Sequence, residues 1–305
     1  MAKILVTGGL GFIGKNLVAE LKKRGHEVWL CDLGQSGETN YIRCDVREYR
    51  QLEKLFQDDY FDFVYHLAAE YGRWNGEDYY ENLWRTNVIG TKNLLRLQEK
   101  LKFKMVFFSS AEVYGDYEGV MSEDVMDKIP IKQMNDYAMT KWVGELQCIN
   151  SASMFGTEIV RVRPVMCYGV GEMYHPYRGV ISTFIHKALR DEPYTVYLGH
   201  RRIFDYVEDT CKTFANILGN FKGGEVYNIG GREEWEVDIK EVSDLILKIL
   251  GKDDRLVKYV EAEPFTTKVK HMDFSKARWD LGHNPKIGLE EGLRRTIKWM
   301  KKSYD

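Results

Sequence analysis

Two rhythms of apolar residues alternate over the first half of this chain. Short, nearly continuous apolar runs rich in β-branched and aromatic residues fall at 3–6, 28–31, 41–44, 63–67, 105–108 and 159–162, and predict strands. Between them, segments 12–23, 51–56, 82–100 and 136–151 space their apolar residues for helices. Val88, Leu94, Leu95 and Leu101 mark the inner side of the third. Apolar strands separated by amphipathic helices predict a parallel sheet covered on both faces.

After Pro164 the regularity loosens. A loop rich in glycine and tyrosine spans 169–179, and a helix is expected at 180–189. Short strands near 195–198 and 226–229 flank a helix at 209–218, and two more helices follow at 238–250 and 289–300. This half reads as a smaller, lid-like lobe, with segments near 200–230 returning to the first. The expected division is 1–165 and 166–305.

Composition narrows the function classes. With 305 residues, 44% of them hydrophobic, the chain can bury one large or two modest cores. A formal charge of −2 provides no basic field for nucleic acid or an anionic membrane. No apolar run has spanning length, and Met1-Ala2-Lys3-Ile4 runs directly into a strand without a secretory leader, so a cytoplasmic protein is expected. Cys31, Cys44, Cys148, Cys167 and Cys211 are widely spaced with no Cys-x-x-Cys, which fits reduced thiols and no metal site.

Two local patterns carry chemistry. Thr7-Gly8-Gly9-Leu10-Gly11-Phe12-Ile13-Gly14 follows a strand and opens a helix, as a dinucleotide phosphate turn requires. Its small residues let the backbone approach a diphosphate, and the helix start supplies unpaired N–H groups. Asp32, ending the second strand, suits the adenosine ribose 2′-hydroxyl, repels a 2′-phosphate, and favours NAD over NADP. Asp45-Val46, ending the third strand, could meet the adenine amino group or serve as an ordinary helix cap. The second pattern is Tyr137-Ala-Met-Thr-Lys141, whose spacing puts a phenol and an ammonium on one helix face. There the cation is expected to draw the phenol down from its usual value of about 10.

With Ser109-Ser110, His66-Leu67-Ala68-Ala69, Asn87-Val88-Ile89-Gly90-Thr91, Arg163-Pro164, Tyr168-Gly169 and Tyr227-Asn228-Ile229-Gly230 in the same order, the chain resembles the extended short-chain dehydrogenase/reductases of the nucleotide-sugar epimerase/dehydratase family. The resemblance covers nearly the whole length. It implies a Rossmann-type doubly wound sheet with a smaller C-terminal α/β substrate lobe, bound NAD, and oxidation of a nucleotide-linked sugar to a 4-keto intermediate. Ser110, Tyr137 and Lys141 match the family's catalytic set. Tyr137 would accept the C4-hydroxyl proton, Ser110 would bond O4, and Lys141 would hold the nicotinamide ribose. The implied cofactor contacts are Gly8, Gly11, Phe12, Ile13, Gly14, Asp32, Asp45, Val46, Leu67, Ala68, Ala69, Asn87, Ser109, Tyr137, Lys141 and Pro164.

Departures from the family pattern bear on the product. Glu112 could serve as a C5 base, whereas Ala111 stands where hexose dehydratases of this family carry an acid. C5 epimerisation, uronate decarboxylation, unusual dehydration and plain 4-oxidation stay open. Arg202 matches the arginine that clamps the substrate diphosphate, although Ile203 replaces the usual Asp, and Met166 replaces a common Asn. His175 and Arg178 are the proposed compensation, giving Ser110, Ala111, Glu112, Tyr137, His175, Arg178 and Arg202 as substrate residues. The aromatic stretch 71–80, with Glu70 and Arg73, could wall the sugar pocket or lie exposed. The helices 82–100 and 136–151 would form a four-helix homodimer interface. The competing classes are an idle NAD-binding scaffold and a dehydrogenase of a free alcohol.

Overall fold

The structure, a computed structural model, describes residues 1–57, 59–261 and 263–304. Its centre is a seven-stranded sheet of β1 (Lys3–Thr7), β2 (Glu27–Asp32), β3 (Tyr41–Arg43), β4 (Phe63–His66), β5 (Lys104–Phe108), β6 (Ile159–Pro164) and β7 (Val226–Ile229). All neighbours are parallel, in the order β7-β6-β5-β4-β1-β2-β3. The chain runs outward from β1 to β3, then crosses back to β4 and continues the other way. The carboxyl ends of β1 and β4 therefore open a crevice at the switch in strand order.

Both faces of the sheet are buried, which is why its strands are continuously apolar. Ile4, Val6, Tyr65, Val106 and Phe108 face one core with Phe12, Leu17 and Phe214. Their sequence neighbours Leu5, Val64, Met105 and Phe107 face the other, with Leu52, Leu94, Leu95 and Cys148. Helices α1 (Phe12–Lys23) and α6 (Val207–Asn216) line the first layer. Helices α2 (Tyr49–Gln57), α3 (Thr91–Leu101) and α4 (Asp136–Phe155) line the second. A third core, with Ile181, Phe184, Val196, Phe204, Val242 and Leu293, belongs to the lobe and unites α5 (Val180–Leu189), α7 (Ile239–Leu250) and α8 (Leu289–Tyr304).

The helix expected at 82–100 is corrected in form. Helical backbone begins at Tyr80–Trp84, widens to a π-turn over Arg85–Gly90, and resumes as α3. Gly90 packs so tightly on Val46 that a Cβ there would lie 2.8 Å from its methyl group. The stretch 71–80 likewise is no plain loop, because Arg73–Asp78 forms a short helix. Among the described residues, no helix is long and apolar enough to cross a membrane.

Candidate active site

A cavity of about 380 Å³ fills the crevice and runs from the glycine turn to the Tyr137/Lys141 face. At one end, Gly8 has φ of +70° and lies so close to the β4 end that a Cβ would approach the Ala68 nitrogen to 2.8 Å. Gly14 sits against the Gly8 carbonyl, where any side chain would collide. This cradle fits the backbone approach that a dinucleotide diphosphate needs. Asp32 accepts hydrogen bonds from the Leu10 and Leu33 amides at 3.0 and 2.7 Å, which fixes its carboxylate at the cavity edge. Asp45 and Val46 also line that end, with Asp45 gripped by Arg47. His66 lies beneath, buried between Thr7 and Thr91, and burial pulls its imidazole down to about 3.

At the other end, α4 begins with Asn135, whose Oδ1 accepts the Ala138 amide at 2.8 Å. Tyr137 therefore stands in the first turn, half-buried, with Lys141 one turn on and its Nζ 5.9 Å from the phenol ring centre. Lys141 donates to the Phe108 carbonyl at 2.8 Å, at the end of β5. Ser110 follows on the same strand end and caps the short 3₁₀ turn Ala111–Tyr114 by accepting the Glu112 amide at 3.2 Å. Beneath them, Arg163 and Glu145 form a buried ion pair at 2.8 Å that also ties Ser109 and Tyr114.

The electrostatics differ from expectation. Burial pushes the Tyr137 phenol up to about 12, against the hydrogen bond from Ser110, and the Glu112 charge adds to the rise. Burial alone lowers Lys141 to about 8. The predicted downward draw on Tyr137 is thus not supplied by the chain alone, because desolvation of the phenolate outweighs a cation already engaged by a carbonyl. Glu112 goes the other way. Burial would raise it, but the Lys270 ammonium at 2.8 Å and the Arg73 guanidinium at 3.7 Å bring it to about 2.

Of the cofactor residues expected, Gly8, Gly11, Phe12, Ile13, Gly14, Asp32, Asp45, Val46, Leu67, Ala68, Ala69, Ser109, Tyr137, Lys141 and Pro164 line the cavity. Asn87 does not. Its buried amide bonds Glu70 N and O and the Thr140 hydroxyl, so it shapes the cavity at one remove. Of the substrate residues, Ser110, Tyr137 and Arg178 line the cavity, while Ala111 is buried in an apolar cluster with Val113 and Met121 and the expected base Glu112 is not among the lining residues. His175 lines a separate open hollow beside Tyr71 and Tyr79. Arg202 is buried, and its guanidinium donates to the carbonyls of Arg201, Thr267 and Lys268, so it is committed to protein rather than open to a ligand. Met166 adopts φ of +29°, a region that Asn tolerates better than Met.

Sequence reasoning missed Lys270, which arrives at Glu112 from 158 positions away. It also missed Cys31, Cys44 and Glu172 as cavity residues. Strand-end position was the available signal for Cys31 and Cys44, and nothing local marks the other two.

A model of the NAD dependent epimerase/dehydratase family matches residues 4–230. The chain belongs to that family. Its cofactor is NAD, and the expected sheet and enzyme class are met. It is 31% identical to a UDP-N-acetyl-alpha-D-glucosaminuronate decarboxylase of Bacillus cytotoxicus, over 98% of both chains. It is 30% identical to a putative UDP-glucose 4-epimerase of Methanocaldococcus jannaschii, again over 98% of both. The UDP-glucuronic acid 4-epimerase of Bacillus cereus, solved with UDP-glucuronic acid and NAD, superposes with a TM-score of 0.88 at 29% identity, covering 99% of this chain and all of that one.

Proposed function

We propose that this enzyme oxidises a nucleoside-diphosphate sugar at C4 and acts on the resulting ketone, with Tyr137 as acid/base and Ser110 and Lys141 as its partners. The observation that carries this reading is the convergence of those three side chains on one cavity whose far end is the glycine turn. The backbone of Gly8, Gly11, Phe12, Ile13 and Gly14 would hold the NAD diphosphate, and Asp32, Asp45 and Val46 its adenosine. Leu67, Ala68, Ala69, Ser109 and Pro164 would wall the remainder, with Asn87 acting through Glu70. When bound, NAD accepts a hydride and returns it. Tyr137 takes the hydroxyl proton, Ser110 orients the oxygen, and the Lys141 charge stabilises the phenolate.

The substrate side points to a sugar that is itself anionic. Lys270 and Arg73 flank Glu112, with Arg202 and Glu263 beside them, so two cations share the one Glu112 carboxylate. A C6 carboxylate could take over Lys270 or Arg73 from Glu112. Once C4 is a ketone, such a uronate is a β-keto acid. It either loses CO₂ by breaking the C5–C6 bond or is reduced again as the 4-epimer. Ala111 supplies no acid for departure of a C6 hydroxyl, which disfavours ordinary 4,6-dehydration. Glu112 removes a C5 proton only after its cations turn to the ligand, since a carboxylate held near 2 is a weak base. Ser110, Ala111 and Glu112 then underlie the sugar. Arg202 with His175 completes the anion side after Arg202 releases its carbonyls, whereas Arg178, on the wall of the glycine-turn cavity, serves the cofactor end.

We also propose a cytoplasmic homodimer and a division near residue 165 into NAD-binding and substrate lobes, with α6 and β7 returning to the first. Ile89, Met139, Leu146 and Ile149 are exposed on the π-turn and α4, where paired copies would cover them. The test of the reaction is NMR of UDP-glucuronate and UDP-glucose incubated with the enzyme in heavy water. Conversion of the uronate to its 4-epimer or to a pentose with CO₂ is expected. NAD binding without turnover of any nucleotide sugar overturns the reading in favour of a scaffold.

A further inference from the structure

Glu172 lies in the loop after β6, is only 5% exposed, and lines the NAD cavity. Its neighbour Gly171 packs on the start of α1. A Cβ there would meet Asn16 Nδ2 at 3.2 Å and Phe12 at 3.8 Å, and Asn16 holds the loop by donating to the Val170 carbonyl at 3.0 Å. The loop that carries Glu172 is thus fastened to the start of α1, whose N-terminus is suited to a diphosphate. Facing it from the same loop is Arg178, whose guanidinium stacks on the Tyr71 ring at 4.0 Å and whose buried Nε has no hydrogen-bond partner. An orphaned guanidinium nitrogen beside a buried acid, in a cavity wall, is a site for an anion.

We propose that Glu172 and Arg178 form the outer wall of the cofactor's diphosphate subsite, Glu172 donating a hydrogen bond from its acid form to a phosphate oxygen. A charged carboxylate in that position would repel the diphosphate, so the acid form is the binding form. Burial raises Glu172 to about 8 against the opposing Arg178 charge. The other titratable groups facing it are the Tyr71 phenol behind Arg178 and the Cys167 thiol at the start of the loop, and neither provides a second cation. Cofactor binding is then linked to a proton on Glu172. Affinity holds below pH 8 and falls as the pH rises beyond it. The assignment stands whichever sugar the enzyme turns over.

The test is calorimetric titration of the full chain with NAD⁺, and separately with UDP, between pH 7 and 9, for wild type, Glu172→Gln and Arg178→Gln. Wild type is expected to bind NAD⁺ about five- to tenfold more weakly at pH 9 than at pH 7. Glu172→Gln, which keeps a donor, should bind comparably at pH 7 and lose much less by pH 9. Lys141 titrates in the same cavity but is present in both proteins, so its share cancels. Buffers of different ionisation heat should report more proton uptake near pH 8.5 in wild type than in Glu172→Gln. Arg178→Gln should weaken NAD⁺ at every pH. Identical pH curves for wild type and Glu172→Gln overturn the proposal, as does a variant effect on UDP with none on NAD⁺.

Discussion

Replacing the Tyr137 hydroxyl by hydrogen removes one oxygen from a cavity wall and leaves the helix around it intact. Tyr137→Phe should therefore keep NAD bound while hydride transfer, read as absorbance of the reduced cofactor, falls by on the order of 10²–10⁴. Lys141 offers a pH test. A buried ammonium near 8 loses its charge as pH rises through that value, and the phenolate loses its cation. The alkaline limb of kcat/KM should begin near pH 8, and Lys141→Arg, which stays charged, should lift it in any variant that retains turnover. For Glu112→Gln, turnover of the 4-keto stage with no C5 proton exchange in heavy water would support its base role, and unchanged exchange would exclude it. At this scale the sequence announced residue types and spacing well, because Tyr137 and Lys141 share one helix. It could not announce protonation. The Glu112 carboxylate is set by Lys270 and Arg73, which the chain brings in from far away.

Each element places its chemistry at an end. β1 hands over to the glycine turn, β5 ends just before Ser109-Ser110, and Tyr137 stands in the first turn of α4. Gly14→Ala puts a methyl group against the Gly8 carbonyl, so the turn must open. NAD affinity should fall at least tenfold by calorimetry, with little change in the far-ultraviolet spectrum of the folded chain. These ends were legible because strand-to-helix transitions have a sharp sequence signature. The π-turn at Arg85–Gly90 was not, because helical periodicity looks the same with one extra residue per turn. It ends at a tertiary contact, the close seat of Gly90 on Val46. The short helix Arg73–Asp78 was hidden for a similar reason, with an aromatic composition that suits no single period.

Across the whole molecule, the buried Arg163–Glu145 pair fastens β6 to α4 directly beneath the reactive end. Glu145→Gln leaves a guanidinium buried without its countercharge. The cost should be about 3–5 kcal/mol, seen as a lower Tm and denaturant midpoint. Leu146 is 46% exposed on the outer face of α4. Leu146→Glu should leave the fold unchanged and convert a dimer to monomer in light scattering. An unchanged mass would move the interface elsewhere.

The strand at the far edge of the sheet is threaded last. β7 adds to β6 only after the chain has built α5 and α6, and Phe214 of α6 covers the same face as Ile4 and Val106. A gene cut just beyond Pro164 would leave the β6 backbone without its outer neighbour β7 and uncover part of that apolar layer. The amino-terminal half made this way should clump rather than bind dinucleotide. Chimeras that trade substrate halves between relatives must therefore carry the edge strand along with the nucleotide half, instead of dividing the chain once.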